Sequence, residues 1–213
     1  MVGFVAQGYG TPGNDVPLNS AYRFHRPLPL RKPDIAAARR LLGEAGYADG
    51  IAVTLVASDK PGTRTQLAVA LREMAKPAGF RIAVATMPHA TYLEQVWKKG
   101  AFYVGFYNMQ ATADAIFSLL YVSNAAWNET RWNDAAFDRL VGEARSTTDA
   151  GKRRQLYGEA QLLMHESVPS LIPVFFDLLA AQRTYLEGYA LHPRGAVFRL
   201  DHAWLSSGAP KRT

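Results

Sequence analysis

Residues 33–50 read PDIAAARRLLGEAGYADG, a helix with both ends written into the chain. Pro33-Asp34 is a start signal, and the Asp34 carboxylate suits the free N–H groups of a first turn. Ala38, Leu41, Leu42 and Ala45 then fall on one face at helical spacing, while Arg39, Arg40 and Glu44 face away. Gly46 supplies the left-handed residue that closes a helix. The passage predicts a surface helix packed on a sheet.

Working outward, the chain alternates strands and helices. Residues 1–33 carry six Gly or Pro within their first 17 positions and prolines again at 27, 29 and 33, which predicts an extended or looped segment. The run from Ile51 to Ala57 reads as a buried strand, Thr65 to Lys76 as a helix ended by Pro77-Ala78-Gly79, and Phe80 to Thr86 as a second strand. Tyr92, Leu93, Val96 and Trp97 mark a helix that stops at Gly100, before a third strand from Ala101 to Tyr107. Helices follow over about 111–122 and from near Asp134 and Asp149, then a strand from Ser170 to Phe176 and short weak strands between Gly188 and Leu205. Strands joined by short helical crossovers predict an α/β fold, with a mixed or mostly parallel sheet flanked by helices.

Bulk properties narrow the function classes. The 213 residues are 48% hydrophobic and 20% charged, ordinary for a chain with a substantial core. No apolar run approaches the ~20 residues that span a bilayer. The start, MVGFVAQGYGTPG, has no basic lead before a long apolar stretch, so these residues are not expected to be a signal peptide. With no cysteine, disulfides and thiolate chemistry are excluded. The net charge of +6 is scattered over Arg39-Arg40, Lys98-Lys99, Lys152-Arg153-Arg154 and Lys211-Arg212, without the interleaved aromatics of a nucleic-acid groove. No nucleic-acid partner is expected, although a basic polyanion-binding protein stays as an alternative.

Motifs for catalysis are sparse. There is no G-x-S-x-G elbow, no H-x-x-x-H or H-E-x-x-H zinc spacing among His25, His89, His165, His192 and His202, and GYGTPG at residues 8–13 matches no phosphate loop. His165 sits where a helix C-terminus favours a cation. No cofactor and no metal is expected. Ligands of open α/β sheets bind beyond the carboxyl ends of strands, so Tyr107, Met109, Gln110, Thr112 and Asp114 form a candidate ligand loop. Thr112 or Asp114 can instead cap the following helix, and for Asp114 capping is the favoured reading. Residues 124–133, NAAWNETRWN, place Trp127 and Trp132 in a polar loop, either as an aromatic wall for a ligand or as core packing.

The helix quoted above resembles the D-x-x-x-A-x-x-LL-x-EAGY-x-DG signature of peptide/nickel-type solute-binding proteins, family 5, which serve ABC importers. Other pieces agree in order: Lys99-Gly100-Ala101-Phe102 before the third strand; Asn124, Trp132-Asn133 and Phe137-Asp138-Arg139-Leu140; and Arg153, Tyr157 and Gln161 ahead of Pro169 and Pro173. The resemblance covers about 170 residues. It implies a periplasmic-binding-protein-like lobe, the C-terminal one of a two-lobed trap. Residues 1–33 would be an inter-lobe crossing, 34–187 the ligand-binding lobe, and 188–213 a tail returning toward the other lobe.

The resemblance further implies a non-enzymatic role: capture of a peptide-like or other small solute for an ABC permease, in the periplasm or outside the cell. The isolated lobe is expected to bind weakly and could self-associate. In peptide-binding relatives an aspartate after the third strand pairs with the peptide α-ammonium. Aligning Phe106 with the family's tryptophan puts Met109 there, and Met offers no charged acceptor. Ligand contacts are therefore assigned to Tyr107, Met109, Gln110, Thr112, Asp114 and Trp127. A stand-alone α/β enzyme using Asp114, His89 or Glu94 as acid/base groups is the competing class.

Overall fold

The computed structural model describes residues 1–194 and 200–210. A short helix, α1 (Val2–Val5), and a strand, β1 (Gly10–Pro12), precede α2 (Ile35–Glu44), the helix read from residues 33–50. Its N-cap is Asp34, whose carboxylate accepts from the Ala37 N–H at 2.8 Å, and Gly46 behind it has φ +88°. The expected core face is corrected. No α2 residue is buried, and Leu41 is 56% exposed. The helix leans on the 3-10 turn Lys76–Ala78, through Leu42 beside Gly79 and through Arg39, whose Nε donates to the Pro77 carbonyl at 2.8 Å. So shallow a neighbour covers part of the stripe, and Arg39, exposed as expected, reaches across to the turn.

The parallel unit is β2 (Ile51–Ser58), α3 (Thr63–Ala75) and β3 (Phe80–Met87), with Ile51 opposite Phe80 and Ser58 opposite Met87. Leu55, Ala57, Ala68, Ile82 and Val104 form its core. Helix α4 (His89–Gln95) leads to the expected third strand, which is much shorter than 101–107. It is a single parallel bridge, Val56 to Tyr103, held by Val56 N–H to Phe102 O at 3.1 Å and Val104 N–H to Val56 O at 2.9 Å. Residues from 105 onward leave β2 and turn toward the helical half.

That half consists of α5 (Ala113–Leu120), α6 (Ala135–Ser146) and α7 (Ala150–Ser167). Each start has a side-chain cap. Thr112 accepts from Ala115 N–H, Asp134 from Ala136 and Phe137, and Asp149 from Gly151 and Lys152. These caps satisfy orphan N–H groups and set the register in which Phe137, Val141 and Ala144 of α6 meet Tyr157, Ala160 and Met164 of α7. This is the larger of the two cores.

Residues 1–33 are less extended than their composition predicts. β1 pairs antiparallel with β4 (Val174–Phe176), the remnant of the expected strand 170–176, and Val16, Leu18 and Tyr22 join the helical core. The glycine next to β1 is needed: a Cβ on Gly13 would collide with the Ile172 carbonyl oxygen. β5 (Leu186–Glu187) and β6 (Trp204–Leu205) form the weak C-terminal ribbon. Among the described residues the strands make three separate pairs, not one continuous sheet. Lys211-Arg212, and part of the segment expected to alternate between 188 and 205, lie outside the described residues.

Candidate functional site

The loop at the carboxyl end of the parallel unit gathers an aromatic cluster that no single stretch of sequence contains. Trp97 follows α4, Tyr107 follows the Val56–Tyr103 bridge, and Trp127 belongs to the 124–133 loop. The Trp97 and Trp127 rings meet edge-on with centroids 5.5 Å apart, and Tyr107 lies 6.1 Å from Trp127. Beneath them the Glu129 carboxylate accepts hydrogen bonds from the Trp97 indole N–H and the Tyr107 hydroxyl. Trp127 is 40% exposed and supplies the open face of the cluster.

Burial acts on every ionisable group here. It raises the Glu129 carboxyl above its ordinary value, against the opposing hydrogen bonds from Tyr107 and Trp97 and the charge of Arg64. It also raises the Tyr107 hydroxyl, and the bond to Glu129 raises it further. A carboxyl whose pKa is raised in the folded state holds its proton more tightly there than in the unfolded chain. Its contribution to stability is therefore complete below the ordinary value of 4.5 and is lost as pH rises through the raised value. Glu129→Gln, which cannot titrate, is the reference. Thermal melts from acidic to neutral pH should show the wild type losing ground to the variant as pH increases, and a flat or inverted difference contradicts the assignment.

The remaining sequence candidates separate. Met109 is half-buried and packs against the helical core, and the Gln110 N–H donates to the Tyr22 hydroxyl at 2.9 Å. Thr112 is the α5 cap, so the capping reading offered for Asp114 belongs to Thr112. Asp114, two residues on and within the first turn of α5, accepts from Arg145 Nε at 3.0 Å and lies 3.4 Å from both Ser118 Oγ and the Tyr157 hydroxyl. The two tryptophans of 124–133 part: Trp132 packs on Phe137 with centroids 4.8 Å apart, and Trp127 stays at the surface. His165 Nδ1 lies 3.0 Å from the Asn14 carbonyl, which ties the end of α7 to the first segment.

The acid/base groups of the enzymatic alternative do not form a constellation. His89 bonds the buried Ser58 hydroxyl at 2.9 Å, Asp114 is committed to Arg145 in the helical half, and Glu94 lies exposed on α4. Among the described residues no three His, Asp or Glu stand where they could hold a metal ion, and no helix is long and apolar enough to cross a membrane.

Sequence reading missed Trp97, Glu129 and Arg64. Trp97 resembled an ordinary apolar helix position. Glu129 stood inside the flagged 124–133 stretch, where an acid among Asn and Thr reads as solvated. Arg64 reads as a surface base at a helix start, yet it is 8% exposed.

Comparisons with known proteins agree with this architecture. The family profile "Bacterial extracellular solute-binding proteins, family 5 Middle" matches residues 1–129. The di/tripeptide-binding protein 1 of Pseudomonas aeruginosa is 32% identical over 171 residues, which is 76% of this chain and 32% of that protein. The glutathione-binding protein GsiB of Salmonella paratyphi A is 30% identical over 200 residues, 87% of this chain and 38% of its own length. The probable deoxycholate-binding periplasmic protein YgiS of Escherichia coli is 30% identical over 178 residues, 79% of this chain and 33% of its own. Among solved structures, the periplasmic binding protein DppA of Helicobacter pylori, in complex with the peptide STSA, superposes with a TM-score of 0.77 at 20% identity, over 97% of this chain and 41% of that one. HbpA2 of Haemophilus parasuis gives a TM-score of 0.76 at 23% identity, over 94% and 41%. The chain thus spans about a third of the length of the curated relatives it matches. The α/β lobe is that of these relatives, and the chain belongs to the bacterial extracellular solute-binding proteins of family 5.

Proposed function

We propose that these residues form one wall of a solute-binding cleft in an extracytoplasmic binding protein that delivers a peptide-like or other small organic solute to an ABC permease. The observation that carries this reading is the Trp97–Tyr107–Trp127 cluster over Glu129 at the carboxyl end of β2, in a chain of this family. Aromatic faces bury apolar parts of a solute, and a few convergent polar groups fix its orientation. Tyr107, Gln110 and Trp127 are the contacts we retain from the sequence, with Met109 and the Thr112–Asp114 turn shaping the loop behind them. The solutes named for the relatives above, deoxycholate, di- and tripeptides and glutathione, all carry a carboxylate. Residues 1–33 serve as the crossing between lobes, 34–187 as this lobe and 188–213 as a returning tail.

A single wall leaves the solute half-solvated, so binding by these 213 residues alone is weak. Chemical-shift mapping suits weak affinity and reads each indole separately. Titrating the labelled chain with Ala-Ala, Ala-Ala-Ala and glutathione should move the indole N–H signals of Trp97 and Trp127 and leave those of Trp132 and Trp204 in place. Movement confined to Trp132 or Trp204, or none at any of the four up to the solubility limit, refutes the proposed wall.

A further inference from the structure

Arg64 is a buried cation without an acceptor. It sits in the first turn of α3, just beyond the carboxyl end of β2, and is 8% exposed. Its Nε is buried with no hydrogen-bond partner, and among the described residues its guanidinium forms no hydrogen bond or ion pair. Two rings hold it instead: the guanidinium carbon lies 5.3 Å from the Tyr92 centroid and 5.8 Å from that of Phe106. Tyr92 is fixed by its hydroxyl bond to the Val104 carbonyl at 2.9 Å. Phe106 is 39% exposed and forms the accessible side.

This placement opposes stability in two ways. Burying a charge without an acceptor is costly. A base in the first turn also adds to the positive end of the helix dipole, and the N-cap Gly62 has no side chain to offset it. Glu129 acts on Arg64 only through space, because its carboxylate is occupied by Trp97 and Tyr107.

We infer that Arg64 is the receptor for a carboxylate of the bound solute. The inference rests on the proposed cleft and names the group it recognises. A carboxylate entering past Phe106 would take two parallel N–H···O bonds from the guanidinium and would also face the α3 N-terminus. The flanking Tyr92 and Phe106 rings suit a flat organic anion attached to a carbon skeleton.

The test follows arginine Nε–Hε signals of the full chain during titration with sodium acetate, at ionic strength held constant with sodium chloride, beside acetamide and inorganic phosphate. One arginine signal, lost in Arg64→Met, should move saturably with acetate and stay still with acetamide. Arg64→Lys keeps the charge but loses the fork, and should weaken acetate binding on the order of tenfold. Arg64→Met should melt no lower than the wild type in the absence of acetate, because the removed group had no partner. If the Met variant fails to fold, Arg64 is a structural cation and the inference fails. It also fails if acetate moves no arginine signal, if the Lys variant binds acetate as the wild type does, or if phosphate binds at least as tightly. Peptide-induced shifts at Trp97 and Trp127 with an unresponsive Arg64 overturn the carboxylate site alone and leave the cleft intact.

Discussion

Phe117→Ala is expected to destabilise the chain by about 3–5 kcal/mol, the usual cost of emptying a fully packed aromatic site. Phe117 is wholly buried on α5, with its ring edge-on to Phe137 of α6 at 5.3 Å and tilted against Tyr157 of α7 at 5.9 Å. The chain of rings extends further, from Phe137 to Trp132 and from Tyr157 to Phe24 of the first segment. Truncation therefore removes a side chain that joins all three helices through aromatic contacts, and each such pair adds about 0.5–1.5 kcal/mol beyond its buried area. Natural domains are stable by only about 5–15 kcal/mol, so the loss is a large share of the total. Denaturant unfolding followed by tryptophan fluorescence measures it. Leu41→Ala on the exposed face of α2 is the control, with an expected change within about ±0.5 kcal/mol. A loss below about 1 kcal/mol at Phe117 would show that the helical core collapses around the gap instead of depending on the ring.

This core was legible in the sequence because its signals are local. Asp134 and Asp149 announce their helices, and Phe137, Val141, Ala144, Tyr157, Ala160 and Met164 follow at helical spacing. The confusion of Thr112 with Asp114 shows where local signals end. Both residue types cap, and the choice falls on the backbone: Thr112 is extended at φ −142°, while Asp114 already lies inside α5. The third strand was over-read because 101–107 has strand-like residues throughout. Only the single bridge at Tyr103, made through Phe102 and Val104, joins β2 before the chain leaves to pack Tyr107 and Met109 on the helical core.

The candidate site was half legible. Tyr107 and Gln110 were placed by the rule that loops beyond strand ends meet ligands, and Trp127 by the pair of tryptophans in a polar loop. Trp97, Glu129 and Arg64 were not, because each owes its environment to a partner far away in the chain. Trp97 meets Glu129 across 32 residues, and Arg64 meets Phe106 across 42 (106 − 64). A solvated acid and a buried acid have the same letter, and only the fold of residues 124–133 over the end of α4 distinguishes them. The family motif had a different value. Its helix fixed the class correctly, while in the structure that helix is the least buried of the long elements.

Gln161→Leu should be the second severe variant, and it acts on the joint between the first segment and the lobe. Gln161 is fully buried on α7, and its amide makes three hydrogen bonds. Oε1 accepts from the Arg26 N–H at 2.9 Å, while Nε2 donates to the Phe24 carbonyl at 2.9 Å and to the Tyr157 carbonyl at 2.8 Å. The leucine keeps the volume but leaves the Arg26 N–H and the Phe24 carbonyl without partners, and a buried group so stranded costs about 1–3 kcal/mol. Water reaches Arg26 at the surface and offsets part of this, so the expected loss is about 2–3 kcal/mol. Neighbouring bonds, Arg26 Nη1 to the Gly158 carbonyl at 3.2 Å and Arg154 Nη1 to the Arg23 carbonyl at 3.3 Å, remain but lie nearer solvent. Hydrogen exchange separates a local from a global effect. Amides of residues 24–26 should lose protection well before those in the middle of α7, and Gln155→Leu, one and a half turns away on the exposed face, should leave both unchanged. If exchange at Arg26 is unaltered and stability falls by less than about 0.5 kcal/mol, the pin is redundant. In the proposed trap, a segment fastened at Gln161 moves with this lobe. Residues 10–22 are tied to the same lobe by the β1–β4 pairing and by Val16, Leu18 and Tyr22 in its core, so loosening this pin frees residues 24–26 locally while the rest of the segment still moves with the wall that holds Trp97 and Trp127.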